Sequence, residues 1–204
     1  MIRKRVAVLI SGRGSNMTAL IEAAAAPDYP AAIALVLSNE PDAAGLGRAR
    51  LAGIATAVVD HRPFGKDREA FERALDDALH AHGIDLICLA GFMRLLTPWF
   101  VTRWSGRMLN IHPALLPQFK GLHTHRRALQ AGVEQHGATV HFVVPEMDSG
   151  PIVLQEAVPV VEGDTEEALA DRVLQVEHRI YPQALRLVAE GRVTLAAAAA
   201  KSAR

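Results

Sequence analysis

Apolar residues in this chain come in short runs separated by polar, glycine- or proline-containing breaks, and two periodicities alternate along it. Val6–Ile10, Ile33–Leu37, Thr56–Val59 and Asp85–Ala90 are almost continuously hydrophobic, which predicts strands covered on both faces. Helical patterns lie between them. Met17–Ala26 turns Leu20 and Ile21 inward, Asp42–Ala52 is stopped by Gly53, and Lys66–His82 repeats Phe71, Leu75 and Leu79 before ending at Gly83. This alternation predicts an α/β fold, a doubly wound, mostly parallel sheet flanked by helices. Farther on, Pro98–Trp104 reads as a short helix that packs Trp99 and Trp104 against the body. Met108–Ile111 reads as a buried strand, Gly121–Ala131 as a helix, and Ala138–Val143 and Ile152–Val160 as strands. Asp164 and Glu167 open a last helix running to about Ala189, which Pro182 is expected to kink or divide. The tail, Ala196–Ala200 and the polar residues after it, is low in complexity and expected to fray.

In such a sheet, ligands bind beyond the carboxyl ends of the strands. Three segments fall there: Gly12–Asn16, Gly91–Leu96 and Asn110–His112. Composition narrows what they could serve. The 204 residues are half hydrophobic, with 22 basic and 22 acidic side chains, so no general basic field exists for nucleic acid or an anionic membrane. No apolar run is long enough to span a bilayer, and Val6–Ile10 is too short for a signal-peptide core. The single cysteine, Cys88, lies in an apolar run, which fits a reducing, cytoplasmic setting.

The turn Ser11-Gly-Arg-Gly-Ser-Asn16 joins a strand end to a helix start, where free N–H groups and the helix dipole favour an anion, and where Ser15 or Asn16 could cap the helix. It lacks the Lys-Ser/Thr of a P-loop and the third glycine of a dinucleotide loop, leaving a phosphate monoester or a ligand-free turn. Asn110 and His112, spaced i, i+2 at the end of an apolar strand, point to one side. An amide and an imidazole there suit oxyanion stabilisation and proton transfer, or simply cap the next loop. Asp148, in the turn Pro145–Pro151, could orient His112 or close its own turn. No serine sits in a nucleophile elbow, so an attacking group would come with the substrate. His112, His123, His125 and His141 lack a metal-site spacing, and Arg126 and Arg127 disfavour a cation, so solvated or anion-facing histidines are expected.

Taken in order, Ser11–Asn16, Leu89-Ala-Gly-Phe-Met-Arg94, Leu109-Asn-Ile-His-Pro-Ala-Leu-Leu-Pro117, Gly121-Leu-His-Thr-His125 and Met147-Asp-Ser-Gly-Pro151 make the chain resemble the phosphoribosylglycinamide formyltransferases, folate-dependent enzymes of purine synthesis. The resemblance covers Val6 to about Gly191. It implies a Rossmann-like single domain, with residues 1–107 as the ribotide-phosphate half, 108–192 as the catalytic and folate half, and 193–204 as a tail. It implies amine attack on the formyl carbon of 10-formyltetrahydrofolate, a co-substrate, with no metal. Asn110 would stabilise the oxyanion, His112 would move the proton, and Asp148 would orient His112 and favour its charged form. Gly14, Ser15, Asn16 and Glu177 would contact the ribotide. Arg68, Met93, Arg94, Leu95 and Leu96, with Asn110 and the stretch Val143, Val144, Pro145, Glu146 and Met147, would contact folate. Partners would be small molecules, with no nucleic acid or membrane, and the protein a monomer or homodimer. One departure stands out: Leu174 replaces a glutamine that some relatives carry, so a ribotide hydrogen bond is missing or comes from Gln175. Two relatives, methionyl-tRNA formyltransferase and formyltetrahydrofolate hydrolase, share the catalytic trio or its surroundings but carry an added C-terminal or N-terminal domain. A silent ribotide- or folate-binding protein on the same fold is the remaining alternative.

Overall fold

The computed structural model describes residues 3–202. The first βαβ unit is β1 (Lys4–Ile10), α1 (Ser15–Ala24) and β2 (Ala31–Ser38), followed by α2 (Ala44–Leu51) and the short β3 (Thr56–Val58). A 3-10 turn at Arg62–Phe64 leads into α3 (Arg68–Ala81), then β4 (Leu86–Leu89) and α4 (Pro98–Arg103). The remainder is β5 (Met108–His112), α5 (Thr124–Ala131), β6 (Gln135–Phe142), β7 (Ile152–Pro159), α6 (Glu166–Ala189) and α7 (Leu195–Ser202). All seven strands form one sheet in the order β3-β2-β1-β4-β5-β6-β7. β1 to β5 are parallel, and β6 and β7 add an antiparallel edge. Residues 1–107 and 108–192 thus both contribute strands to the same sheet.

Alternation along β1 explains why its sequence is apolar without a break from Val6 to Ile10. Val6, Val8 and Ile10 enter the core under α1, α2 and α6, with Met17, Leu20, Leu46, Val173 and Tyr181. Ala7 and Leu9 enter the opposite core under α3 and α4, with Phe71, Leu75, Leu79, Phe100 and Trp104. The chain builds β2 and β3 on one side of β1 and then crosses to β4 on the other. The strand order therefore reverses at β1/β4, where such sheets open a crevice at their carboxyl ends.

Four expectations change. β6 starts earlier, at Gln135, and seven of its eight residues are buried; Ala138, Val140 and Phe142 enter the core while Thr139 and His141 take the other face. α6 runs undivided through Pro182, because Val173, Ile180, Tyr181, Ala184 and Leu185 anchor it on both sides of the missing N–H. The tail is helical over Leu195–Ser202, its last two residues lying outside the described ones: Thr194 accepts from the Ala197 and Ala198 N–H groups, and Ala198 is buried. α1 has no side-chain cap, as Gly14 occupies that position in a left-handed conformation (φ 74°). Among the described residues no helix is long and apolar enough to cross a membrane.

Candidate active site

In β5, Leu109 and Ile111 point into the core beneath α1 and α6, while Met108 points into the one beneath α3 and α4. Asn110 and His112 continue the Met108 side beyond the cover of those helices, so the strand period delivers an amide and an imidazole to one face. His112 is 5% exposed. Antiparallel pairing with β6 puts His141 directly opposite Asn110, on that same face. The Asn110 Nδ2 and His141 Nε2 atoms are 3.3 Å apart. His141 Nδ1 lies 2.9 Å from the Phe142 carbonyl, so the proton belongs on Nδ1 and Nε2 carries the lone pair that accepts from the amide. Burial pushes the His141 pKa down, with the Phe142 carbonyl and Asp148 acting the other way.

The β6–β7 turn brings Asp148 to this pair. Its Oδ2 is 3.5 Å from His112 Nδ1, and its Oδ1 is 3.8 Å from His141 Nε2. Asp148 does not close its own turn. The Ser149 hydroxyl does so by donating to the Met147 carbonyl, and Asp148 Oδ2 instead accepts the Gly121 N–H at 2.8 Å. Gly150 permits this: a Cβ there would coincide with the Phe142 carbonyl oxygen. The other ring nitrogen of His112, Nε2, faces the Phe119 carbonyl at 3.0 Å. Phe119 itself has a left-handed backbone (φ 52°).

The β1–α1 loop lies along the same edge of the sheet. Helix geometry leaves the first N–H groups of α1 without intrahelical acceptors. Asn16, expected as a cap, is buried and donates from Nδ2 to Glu177 Oε2 at 2.6 Å, while its Oδ1 has no partner. Burial pushes the Glu177 pKa up, and the Asn16 bond works against that. Gln175 is exposed, and two helical residues before Glu177 means about 200° of rotation away from it, so it cannot stand in at Leu174. Beside Ser15 a cavity of about 510 Å³ carries Arg48, His178 and Arg179 in its wall.

The segment after β4 closes the other side. Arg68, the first residue of α3, donates to the Leu95 carbonyl at 2.5 Å. Met93 (68% exposed) and Leu95 (66%) stand in solvent, Arg94 is half-buried, and Leu96 and Val143 pack on the core beneath α3 and α4. Val144 is half-buried, whereas Pro145, Glu146 and Met147 are exposed at the turn. Ser11 links this segment to the loop after β1: its N–H donates to the Gly91 carbonyl at 3.0 Å, and its Oγ accepts the Met93 N–H at 2.8 Å and donates to Asn39 Oδ1 at 2.5 Å.

Residues 4–185 match the formyl transferase family. The chain belongs to that family. It is 48% identical over 190 residues to the phosphoribosylglycinamide formyltransferase of Escherichia coli (strain K12), covering 93% of this chain and 89% of that protein, which assigns it to this branch. It is 53% identical over 193 residues to the trifunctional purine biosynthetic protein adenosine-3 of Bos taurus, covering 95% of this chain but only 19% of that protein's length. The crystal structure of glycinamide ribonucleotide transformylase 1 from Symbiobacterium toebii superposes with a TM-score of 0.90 at 50% identity, over 93% of this chain and 89% of that one. The phosphoribosylglycinamide formyltransferase structure from Brucella melitensis gives 0.87 at 55% identity, over 92% and 96%.

Within this formyltransferase fold, some side chains near the trio escaped the sequence reading. His136 is fully buried on the first residues of β6, edge-on to His125 at 5.2 Å and to Phe119 at 5.7 Å. Burial and the neighbouring His125 push its pKa down to about 4. His125, expected to be solvated or anion-facing, is half-buried against it and also shifted down by burial, whereas His123 is exposed. A strand expected only from Ala138 leaves His136 outside any element, whereas β6 begins at Gln135. Among the described residues, no cluster of three or more His, Cys, Asp or Glu side chains is arranged to hold a metal ion.

Proposed function

We propose that this formyltransferase moves the formyl group of 10-formyltetrahydrofolate to the primary amine of phosphoribosylglycinamide. The observation that carries the reading is the meeting of Asn110, His112 and Asp148 at one strand end, between an anion-suited turn and an exposed apolar segment. The ribotide phosphate would sit on the N–H groups of Gly14, Ser15 and Asn16, and Glu177 with the unpartnered Asn16 Oδ1 would hold its polar body. Folate would lie against Met93, Leu95 and Leu96, with Arg68 and the stretch Val143–Met147 at its borders. Apolar side chains in that position suit a flat heteroaromatic ring.

In this mechanism the amine nitrogen attacks the formyl carbon, and its electron pair forms the new C–N bond. Negative charge gathers on the formyl oxygen, where the second Asn110 N–H, the one not given to His141, donates to it. Collapse breaks the bond to folate N10, and one amine proton ends on that nitrogen. His112 carries this proton directly or through water, and Asp148 aligns the ring from Nδ1. The Phe119 carbonyl faces Nε2, so that contact opens when substrate arrives.

Steady-state assay of the purified protein with both substrates tests the proposal. Formylated ribotide appearing in step with free tetrahydrofolate is the expected result. Folate deformylation that ignores the ribotide would make it a hydrolase, and binding without turnover would make it a silent binder; either outcome overturns the assignment.

A further inference from the structure

Helix α3 carries three charged side chains one turn apart, Arg68, Glu72 and Asp76, which the helical repeat puts on one face. Asp76 docks α4, accepting from Arg103 Nε at 2.8 Å and Trp104 Nε1 at 2.9 Å. Arg68 reaches the Leu95 carbonyl. Glu72, between them, is 0% exposed. Its carboxylate accepts the Thr97 backbone N–H at 2.6 Å and the Thr97 hydroxyl as well. Burial pushes this carboxyl up, and the two bonds from Thr97 pull it back. A buried carboxylate is costly to keep, and an apolar residue of similar volume would pack against the Phe71 and Leu75 side of the helix without that cost. What Glu72 provides instead is a fixed position for Thr97.

Thr97 closes the segment that begins at Gly91 and immediately precedes Pro98, the first residue of α4. The segment is therefore tied at four places: to Ser11 through the Gly91 carbonyl and the Met93 N–H, to Arg68 through the Leu95 carbonyl, and to Glu72 through Thr97. Met93 and Leu95 project from it into solvent. We propose that Glu72 is a positioning residue for the formyl donor: through Thr97 it fixes the backbone from which Met93 and Leu95 receive the folate ring. Glu72 does not touch the donor. The inference rests on the reading of this segment as the folate side of the site, and the test separates the two.

Purified wild type, Glu72→Leu, Glu72→Gln and Thr97→Val are compared by steady-state kinetics, with 10-formyltetrahydrofolate and the ribotide varied in turn. Glu72→Leu is expected to raise KM for the formyl donor about tenfold or more, the scale of a lost charge-assisted hydrogen bond. KM for the ribotide should stay within about twofold, since only one substrate loses binding. Glu72→Gln keeps an acceptor oxygen and should recover most of the loss. Thr97→Val removes the hydroxyl alone and should give a smaller rise with the same selectivity; it also carries the test if Glu72→Leu does not fold. Equal changes in both KM values, or an unchanged donor KM in an otherwise active enzyme, overturn the role of Glu72 and leave the donor assignment standing. A wild-type enzyme that does not consume 10-formyltetrahydrofolate overturns both.

Discussion

Asn110 can donate to an oxyanion only if its Nδ2 end faces the substrate, and His141 governs that choice. With its proton on Nδ1, facing the Phe142 carbonyl at 2.9 Å, the ring presents a lone pair to Asn110 Nδ2 at 3.3 Å. Burial holds the ring below the usual histidine range, so the lone pair persists at neutral pH. His141→Phe removes the lone pair and keeps most of the ring volume. One hydrogen bond is worth about 1 kcal/mol net, or roughly fivefold in rate. Complete loss of the oxyanion donor costs about 2.7–4 kcal/mol, or 10²–10³ in kcat, and sets the ceiling. The His141→Phe variant should therefore fall about 5- to 50-fold in kcat, with Asn110→Ala near the ceiling. Because both act through the same N–H, the double variant should be no slower than Asn110→Ala within about threefold. Single-turnover formyl transfer with both substrates saturating measures this without interference from binding. If the two losses multiply instead, His141 acts on something other than the amide and the reasoning fails.

His136, with its pKa near 4 in the fold against 6.5 in the unfolded chain, stays neutral while the unfolded chain takes up a proton as pH falls. Its stabilising contribution is complete above pH 6.5 and is lost toward pH 4, by roughly 2 kcal/mol between pH 6.5 and 5. His136→Phe should flatten the urea-unfolding free energy over that window, and a decline parallel to wild type would count against it. Glu177→Gln should raise KM for the ribotide about tenfold and spare the folate KM; an unchanged ribotide KM removes Glu177 from the site. Gly150→Ala must push the Asp148 turn away from the Phe142 carbonyl, and kcat should fall on the order of 10²-fold while far-ultraviolet circular dichroism stays native. Full activity would mean that the position of Asp148 is not critical.

The sheet was legible because strand stretches buried on both faces must be apolar throughout, as Val6–Ile10, Ile33–Leu37 and Leu86–Leu89 are. The placing of Asn110 and His112 on one face was legible because they interrupt such a strand at i, i+2; Asp148 joined them only through the family resemblance, since its turn alone left it free to close on itself. What was illegible depends on long-range pairing. His141 gains its meaning only when β6 lies antiparallel to β5, a register no local pattern states. Asn16 looked like a helix cap until Glu177, 161 residues away, took its amide. Glu72 lies unmarked in the Lys66–His82 helical pattern, since its partner Thr97 closes a segment with no periodicity of its own.

The hydroxyl of Ser11 has a broader consequence. It belongs to the loop that would hold one reactant, yet it anchors the backbone that would hold the other, and Asn39 fixes its direction. The two flanks therefore meet at one residue. A change at Ser11 itself, in contrast to one confined to either flank, will be written into the kinetics of both reactants at once.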